Sequence, residues 1–237
     1  MNDSGNIYGL SATTDTHMIK NMEWGAVAYL SHSKYGTCTG GTCKEVNINN
    51  SSGFYTGRSM DTASASVTTN GTYEYNEIGL GTYASTTHNI YGVYDMSGGA
   101  DEYVMGNIVS NNGTTMMSGY DSSYNSGYTG IIYDAGKYTS YTGTYSYPNA
   151  KYYDKYSFGT SEKQMIKSKL GDSIKEVLLN TSSKGWYSDY SYFAYSNVPW
   201  FERGGRYMSG SLAGVFGSNS NGGRAYSISS SRLVITP

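Results

Sequence analysis

Gly92-Val93-Tyr94-Asp95-Met96-Ser97-Gly98-Gly99-Ala100-Asp101-Glu102-Tyr103-Val104 joins a turn, a glycine pair and a strand-like run in one stretch. Gly92 and Gly98 stand where a backbone has to turn tightly, and the run after Gly99 has the apolar and aromatic content of a strand. Outward on the N-terminal side, Met18, Met22, Gly25 or Ala26, and Tyr29 recur at helical spacing, with Ile19, Trp24, Val27 and Leu30 widening the stripe. The spacing predicts a main packing helix over 16–31, capped by Thr14, Asp15 or Thr16 and followed by Gly36. Residues 37–87 are rich in Gly, Ser, Thr and Asn around isolated apolar positions (Val46, Ile48, Phe54, Tyr55, Val67), which predicts short strands and long loops.

On the C-terminal side, residues 110–157 form a Tyr, Ser, Gly and Thr tract without a fixed repeat. Ser161-Glu162-Lys163-Gln164 has the form of a capping box ahead of Met165, Ile166 and Leu170, so a second helix is expected there, closed by Gly171. Asp172 offers a cap for a further turn or two through Ile174, Val177 and Leu178. From Trp186 onward the pattern turns to strands, ending in Leu233-Val234-Ile235. Few helices and many short strands give an α+β class, read as a single domain over residues 1–237.

Composition narrows the function classes. Charged residues make up 14% of the chain and the formal net charge is −2, so there is no basic footprint for nucleic acid or an anionic membrane. No run reaches the roughly 18–20 apolar residues of a bilayer span. The first twenty residues lack the order of a secretory signal, so any targeting segment is expected upstream of Met1. The 27 tyrosines supply rigid packing area that a disordered polar chain would lack. Cys38 and Cys43 flank Gly40-Gly41 and can close a small disulfide turn; two free thiols are the alternative, and scattered His17, His32 and His88 give a zinc site little support. An oxidised pair would point to an extracytoplasmic setting.

Four blocks in order resemble the formylglycine-generating-enzyme (sulfatase-modifying-factor) family: Glu23-Trp24-Gly25-Ala26-Val27-Ala28-Tyr29, Gly92-Val93-Tyr94-Asp95-Met96-Ser97-Gly98 with Glu102-Tyr103, Arg203-Gly204-Gly205, and Ser231-Arg232-Leu233-Val234. The resemblance implies a C-type-lectin-like fold, in which small twisted antiparallel sheets and two main helices hold long loops. The enzymes of that family use two C-terminal cysteines. Here Ser209 stands near the first and Gly214 near the second, and neither supplies a thiolate for copper, so no oxidase activity is expected. The cluster of Asp95, Asp101 and Glu102 reads in isolation as a glycosidase pair. The resemblance makes Asp95 and Glu102 scaffold or cation-proximal residues, leaving a structural Ca²⁺ as the one cofactor open.

Within the same fold, residues 199–237 look closest to the variable proteins of diversity-generating retroelements and to pilin-like surface proteins of gut Firmicutes or their phages. Those proteins rewrite a C-terminal segment at adenines. From Asn codons such changes reach Asn, Ser, Tyr, Gly, Arg and Leu, the set that contains Arg206, Tyr207, Ser209, Ser211, Leu212, Ser218, Asn219, Ser220, Asn221, Arg224 and Tyr226; Met208 and Trp200 fall outside it. Residues 217–224 are expected as a flexible loop between the Val215 and Leu233 strands. Tyr and Trp offer contact area at small entropic cost while Ser, Gly and Asn supply adaptable hydrogen bonds. The expectation is therefore a non-catalytic binding face for a protein or glycan on a cell surface, formed by Trp200, those positions and neighbouring aromatics. It places the chain outside the cell, on a bacterial surface or a phage virion. A structural pilin-head or tail-fibre-tip module, packing its Tyr-rich tract against neighbouring subunits, is the alternative.

Overall fold

A computed structural model of the chain describes residues 9–11, 13–49, 56–57, 59, 74–78, 81–109, 151–157, 169–176, 184–194, 200–221 and 226–236. Residues 161–168 of the helix expected over 161–170, most of the 110–157 tract, Phe54, Tyr55, Val67, Val177, Leu178 and Arg224 lie outside these residues, and Lys169 and Leu170 are not helical. The elements are β1 (Asp15–Met18), α1 (Asn21–Ser31), β2 (Cys38–Thr39), β3 (Thr42–Cys43), β4 (Asp101–Val109), β5 (Asp154–Ser157), β6 (Trp200–Gly204), β7 (Gly214–Asn221), β8 (Ser229–Ser231) and β9 (Leu233–Thr236). The class is α+β, with small sheets around one α-helix among the described residues.

The helix is shorter than the periodicity predicts. Residues 15–18 are strand, because Asp15, Thr16, His17 and Met18 pair antiparallel with Thr236, Ile235, Val234 and Leu233, which also brings the two ends of the described chain together. The cap is correspondingly later: the Glu23 carboxylate accepts the Lys20 N–H at 2.9 Å, and Asp154 Oδ2 accepts the Met22 N–H at 2.8 Å. Two amide groups that no helical turn can serve are thereby satisfied. The buried stripe is Asn21, Trp24, Gly25, Ala28 and Ser31, one position out of phase with the expected one, and Leu30 faces solvent. Gly25 is needed for contact: a Cβ there would fall 2.3 Å from the Gly171 carbonyl oxygen. Beyond Gly171 the chain forms turns rather than helix, with Asp172 accepting the N–H groups of Lys169 and Ile174.

The central sheet runs β5-β4-β6-β7, with β8 also on β4. β6 pairs antiparallel with β4 and β7, but β5 and β8 both pair parallel with β4, which corrects the expectation of purely antiparallel sheets. The cause is the length of β4. One of its edges is shared end to end, by β8 along Asp101–Tyr103 and by β5 along Gly106–Val109, with a Lys20–Met105 bridge between. Hairpin logic read from neighbouring strands cannot anticipate partners that arrive from 45 or more residues away. Trp24, Met96, Val104, Tyr156, Phe201, Val215 and Phe216 form the core between α1 and this sheet.

Cys38 and Cys43 are joined by a disulfide across the β2–β3 ribbon, in which they are directly opposed. Gly40 and Gly41 both take positive φ (60° and 82°), as a two-residue hairpin requires. No helix among the described residues is long and apolar enough to cross a membrane.

Candidate functional site

The four sequence blocks meet at one place. Two guanidinium groups lie over the Trp24 ring, Arg203 at 5.9 Å and Arg232 at 5.2 Å from the ring centroid, and the Trp24 Nε1–H donates to the Val215 carbonyl at 2.8 Å. Arg232 forks onto the Glu102 carboxylate and donates to the carbonyls of Tyr94 and Asp95 at 3.1 and 3.0 Å. Arg203 is 1% exposed; it donates to the Gly217 carbonyl at 2.9 Å, Asn21 Oδ1 at 2.7 Å and the Gly171 carbonyl at 3.2 Å. Burial lowers its pKa to about 10. Gly98 donates its N–H to the Gly204 carbonyl, and Gly204, at φ 85°, passes within reach of the Trp24 ring edge.

From this hub the chain rises into the candidate face. After Gly205 it makes a tight turn held from below: Tyr207 N–H donates to the Gly99 carbonyl at 2.8 Å, Arg206 N–H to Ser209 Oγ at 3.0 Å, and Ser59 Oγ to the carbonyls of Arg206 and Gly210, both at 3.0 Å. Beside the turn is an open pocket of about 320 Å³ reached by Asp101, Tyr190, Arg206, Met208, Leu212 and Asn219. Arg206 Nη1 stands 3.4 Å from Asp101 Oδ2; the Asp101 side chain is 7% exposed and that of Arg206 35%. Burial, reinforced by the neighbouring Glu202 carboxylate and opposed by Arg206, pushes the Asp101 carboxyl up to about 6.

No family model matches the chain, and no curated protein matches it.

The proposed display positions separate in space. Arg206, Ser209, Leu212, Ser218 and Asn219 line the pocket. Ser211 and Leu212 are exposed, Arg206, Tyr207, Ser209, Asn219, Ser220 and Asn221 are half-buried, and Tyr226 is 39% exposed. Trp200, half-buried, pairs with Asn221 at the far end of β6 and β7. Ser218 departs from the expectation of display: it is 3% exposed, exchanges backbone hydrogen bonds with Tyr190 and Tyr192, and contributes only to the pocket floor. Of the loop expected over 217–224, residues 217–221 are strand, because β7 stays paired with β6 through Asn221, and 222–224 lie outside the described residues.

Asp95, Asp101 and Glu102 do not converge. Asp95 accepts from Thr56 Oγ1 and the Gly57 N–H at 2.9 and 2.8 Å, while Asp101 turns to Arg206 and Glu102 to Arg232. Among the described residues no three His, Cys, Asp or Glu side chains gather as a metal cage. Gly214, near the second family cysteine, has no room for a side chain, since a Cβ would fall 2.0 Å from Asp189 Oδ1. Asp189 is fully buried and accepts the Phe216 N–H at 3.0 Å; burial, with the adjacent Glu45 carboxylate adding, pushes it up to about 8.

Five pocket residues, Asp101, Tyr190, Gly205, Met208 and Gly217, lie outside the display positions expected from the sequence. Asp101 reads in the sequence as part of an acidic cluster, Met208 falls outside the adenine-reachable set, and Tyr190 reads only as one of the strand tyrosines after Trp186. Tyr190 arrives through its N–H bond to the Leu212 carbonyl at 2.8 Å and the adjoining Ser191–Ser218 bridge.

Proposed function

We propose that the chain is a non-catalytic ligand-binding domain of C-type-lectin-like fold, related in plan to formylglycine-generating enzymes and to retroelement-diversified variable proteins. The observation that carries the reading is the alternation within residues 200–221. Phe201–Gly204 and Ala213–Ser218 are buried, while Gly205–Ser209, Ser211 and Leu212 between them reach solvent beside the pocket. A surface loop can exchange side chains without loss of fold only when its two ends are fixed in this way. The meeting of all four blocks around Trp24 supports the fold assignment, because each block makes a contact that depends on another.

In this reading the partner is a protein or glycan on a cell surface, the chain acts outside the cell, and no catalytic step is involved. The Cys38–Cys43 bond supports an oxidising setting, and Ser209 and Gly214 supply no thiolate at the family's metal positions. The test is binding of the labelled protein to intact bacterial cells and to isolated cell-surface proteins. Saturable binding lost in the Tyr207→Ala/Tyr226→Ala double variant is expected; binding unchanged by the pair overturns the reading. Diversification has its own test: the DNA downstream should hold a near-copy of the segment encoding the C-terminal residues, differing at adenines, beside a reverse-transcriptase gene.

A second reading, a structural module that packs against neighbouring subunits, is favoured by a separate observation. Ile78 and Tyr91 are 90% and 87% exposed, and Ile90 and Val93 are exposed near them in sequence. Concentration-dependent association in sedimentation, abolished by Tyr91→Ser, would support it.

A further inference from the structure

The pocket is more selective than the face around it, and its charge balance decides what it admits. We infer that it holds one uncharged, hydroxyl-rich six-membered ring, the neutral pyranose unit of a glycan. This deepens the binding reading above and rests on it. The volume of about 320 Å³ is enough for a single sugar ring.

The polar groups come as opposites side by side. The Asp101 carboxylate, nearly sealed, accepts hydrogen bonds; the Arg206 guanidinium, more exposed and committed among the described residues through one contact at 3.4 Å, donates them. A negatively charged ligand would meet Asp101 with Glu202 behind it. A positively charged one would meet Arg206. Vicinal hydroxyls, which both donate and accept, satisfy both partners without burying an unpaired charge. Glu202 itself is already engaged by Asn221 Nδ2 and Ser229 Oγ at 3.0 and 2.9 Å, so it contributes field rather than a ligand. Asn219, whose Oδ1 already accepts the Ser220 N–H at 2.9 Å, adds an amide NH₂ that can donate.

The pocket also carries the apolar or aromatic side chains of Tyr190, Met208 and Leu212, beside Ser209, Ser218 and two glycines. A pyranose has a C–H face as well as a hydroxyl edge, and these side chains supply the surface for it. Tyr190 and Leu212 are fixed to one another by the backbone bond between them, and the turn carrying Arg206 is pinned by Ser59 and Ser209, so both walls are set before a ligand arrives.

The test uses the full chain and methyl glycosides of glucose, galactose, mannose and N-acetylglucosamine, with glucuronate and glucosamine as charged controls, read by ligand-observed NMR titration. At least one neutral glycoside is expected to bind with a Kd on the order of 1–10 mM, with both charged controls weaker. Asp101→Asn should weaken it about 10- to 100-fold through loss of a charged acceptor. Because Asp101 is buried, Leu212→Trp, at an exposed position on the pocket wall, provides a second variant that blocks entry without touching the core. Absence of binding by every neutral glycoside, preference for a charged control, or binding unchanged in Leu212→Trp overturns the inference. Tyr207 and Tyr226 do not line the pocket. Cell binding lost in their double variant, with no glycoside bound by the wild type, would thus defeat the sugar site and leave the wider face standing.

Discussion

Arg203 and Arg206 lie three positions apart and belong to different worlds. Arg203 is sealed under Trp24, with its guanidinium distributed over two backbone carbonyls and an amide oxygen. The Arg206 guanidinium reaches the surface with, among the described residues, a single 3.4 Å contact to Asp101. The glycine pair between them, both at positive φ, carries the chain from frame to face within two residues. A backbone device thus separates buried frame from exposed face here, so side chains on the exposed side can change with little effect on the frame.

Breaking the frame should give the largest effect. Trp24→Ala removes a fully buried ring, its hydrogen bond to Val215 and the surface shared by Arg203 and Arg232. A cost of about 3–5 kcal/mol is expected, a large share of the roughly 5–15 kcal/mol that holds a domain folded. Urea denaturation should show a collapsed midpoint; a loss under about 1 kcal/mol would mean that the hub is not the centre of the fold.

Next comes pH. The Asp189 carboxyl, pushed up to about 8 by burial and the neighbouring Glu45, stays protonated in the fold long after the unfolded chain has lost that proton. Its contribution is therefore fully present below about pH 4, declines as pH rises and is gone above about 8, a change of roughly a few kcal/mol. Asp101, raised to about 6, acts in the same direction over a narrower window. Thermal melts should fall from pH 5 to pH 8, and Asp189→Asn, which keeps an acceptor for the Phe216 N–H, should flatten most of that slope. A melting temperature that rises over this interval contradicts the assignment.

What could be read from the sequence follows the same division. The frame was legible because its residues act through shape: Trp24, Gly98, Gly204 and Arg232 each serve the backbone at fixed places in ordered blocks. The register of α1 was not, since Asp15–Met18 is claimed by β9 from the opposite end of the chain. The pocket was half legible. Arg206, Ser209, Leu212, Ser218 and Asn219 come from one continuous segment, whereas Asp101 enters from β4 and Tyr190 from a loop that is itself held to the site by backbone hydrogen bonds to Leu212 and Ser218. Such bonds leave no mark on side-chain identity, so no pattern of residues could have announced them.

A smaller effect is expected at the periphery. Reducing Cys38–Cys43, or replacing both by Ser, opens a short ribbon joined to the body at one side. The loop is small, and chain-entropy arguments give about 2 kcal/mol. Denaturation with and without reductant measures it directly, and a loss as large as that of Trp24→Ala would place the ribbon within the frame.

The smallest effect on stability sharpens the comparison most. Leu212→Ala and Tyr226→Ala remove side chains that are already more than a third exposed, so each should shift the unfolding free energy by no more than about 0.5 kcal/mol. If the face is a recognition surface, the same changes should weaken ligand binding by about 1–2 kcal/mol each, as truncation of an interface contact does. Arg206→Ala sits between the two regimes. It frees Asp101 from its only ion-pair partner among the described residues, which raises the carboxyl further and extends its proton retention toward neutral pH. The variant should match the wild type in denaturation at pH 5 and fall below it at pH 7.5. Equal stability at both values would show that Arg206 leaves the Asp101 proton unaffected, and that the separation between frame and face is complete even at the pocket floor.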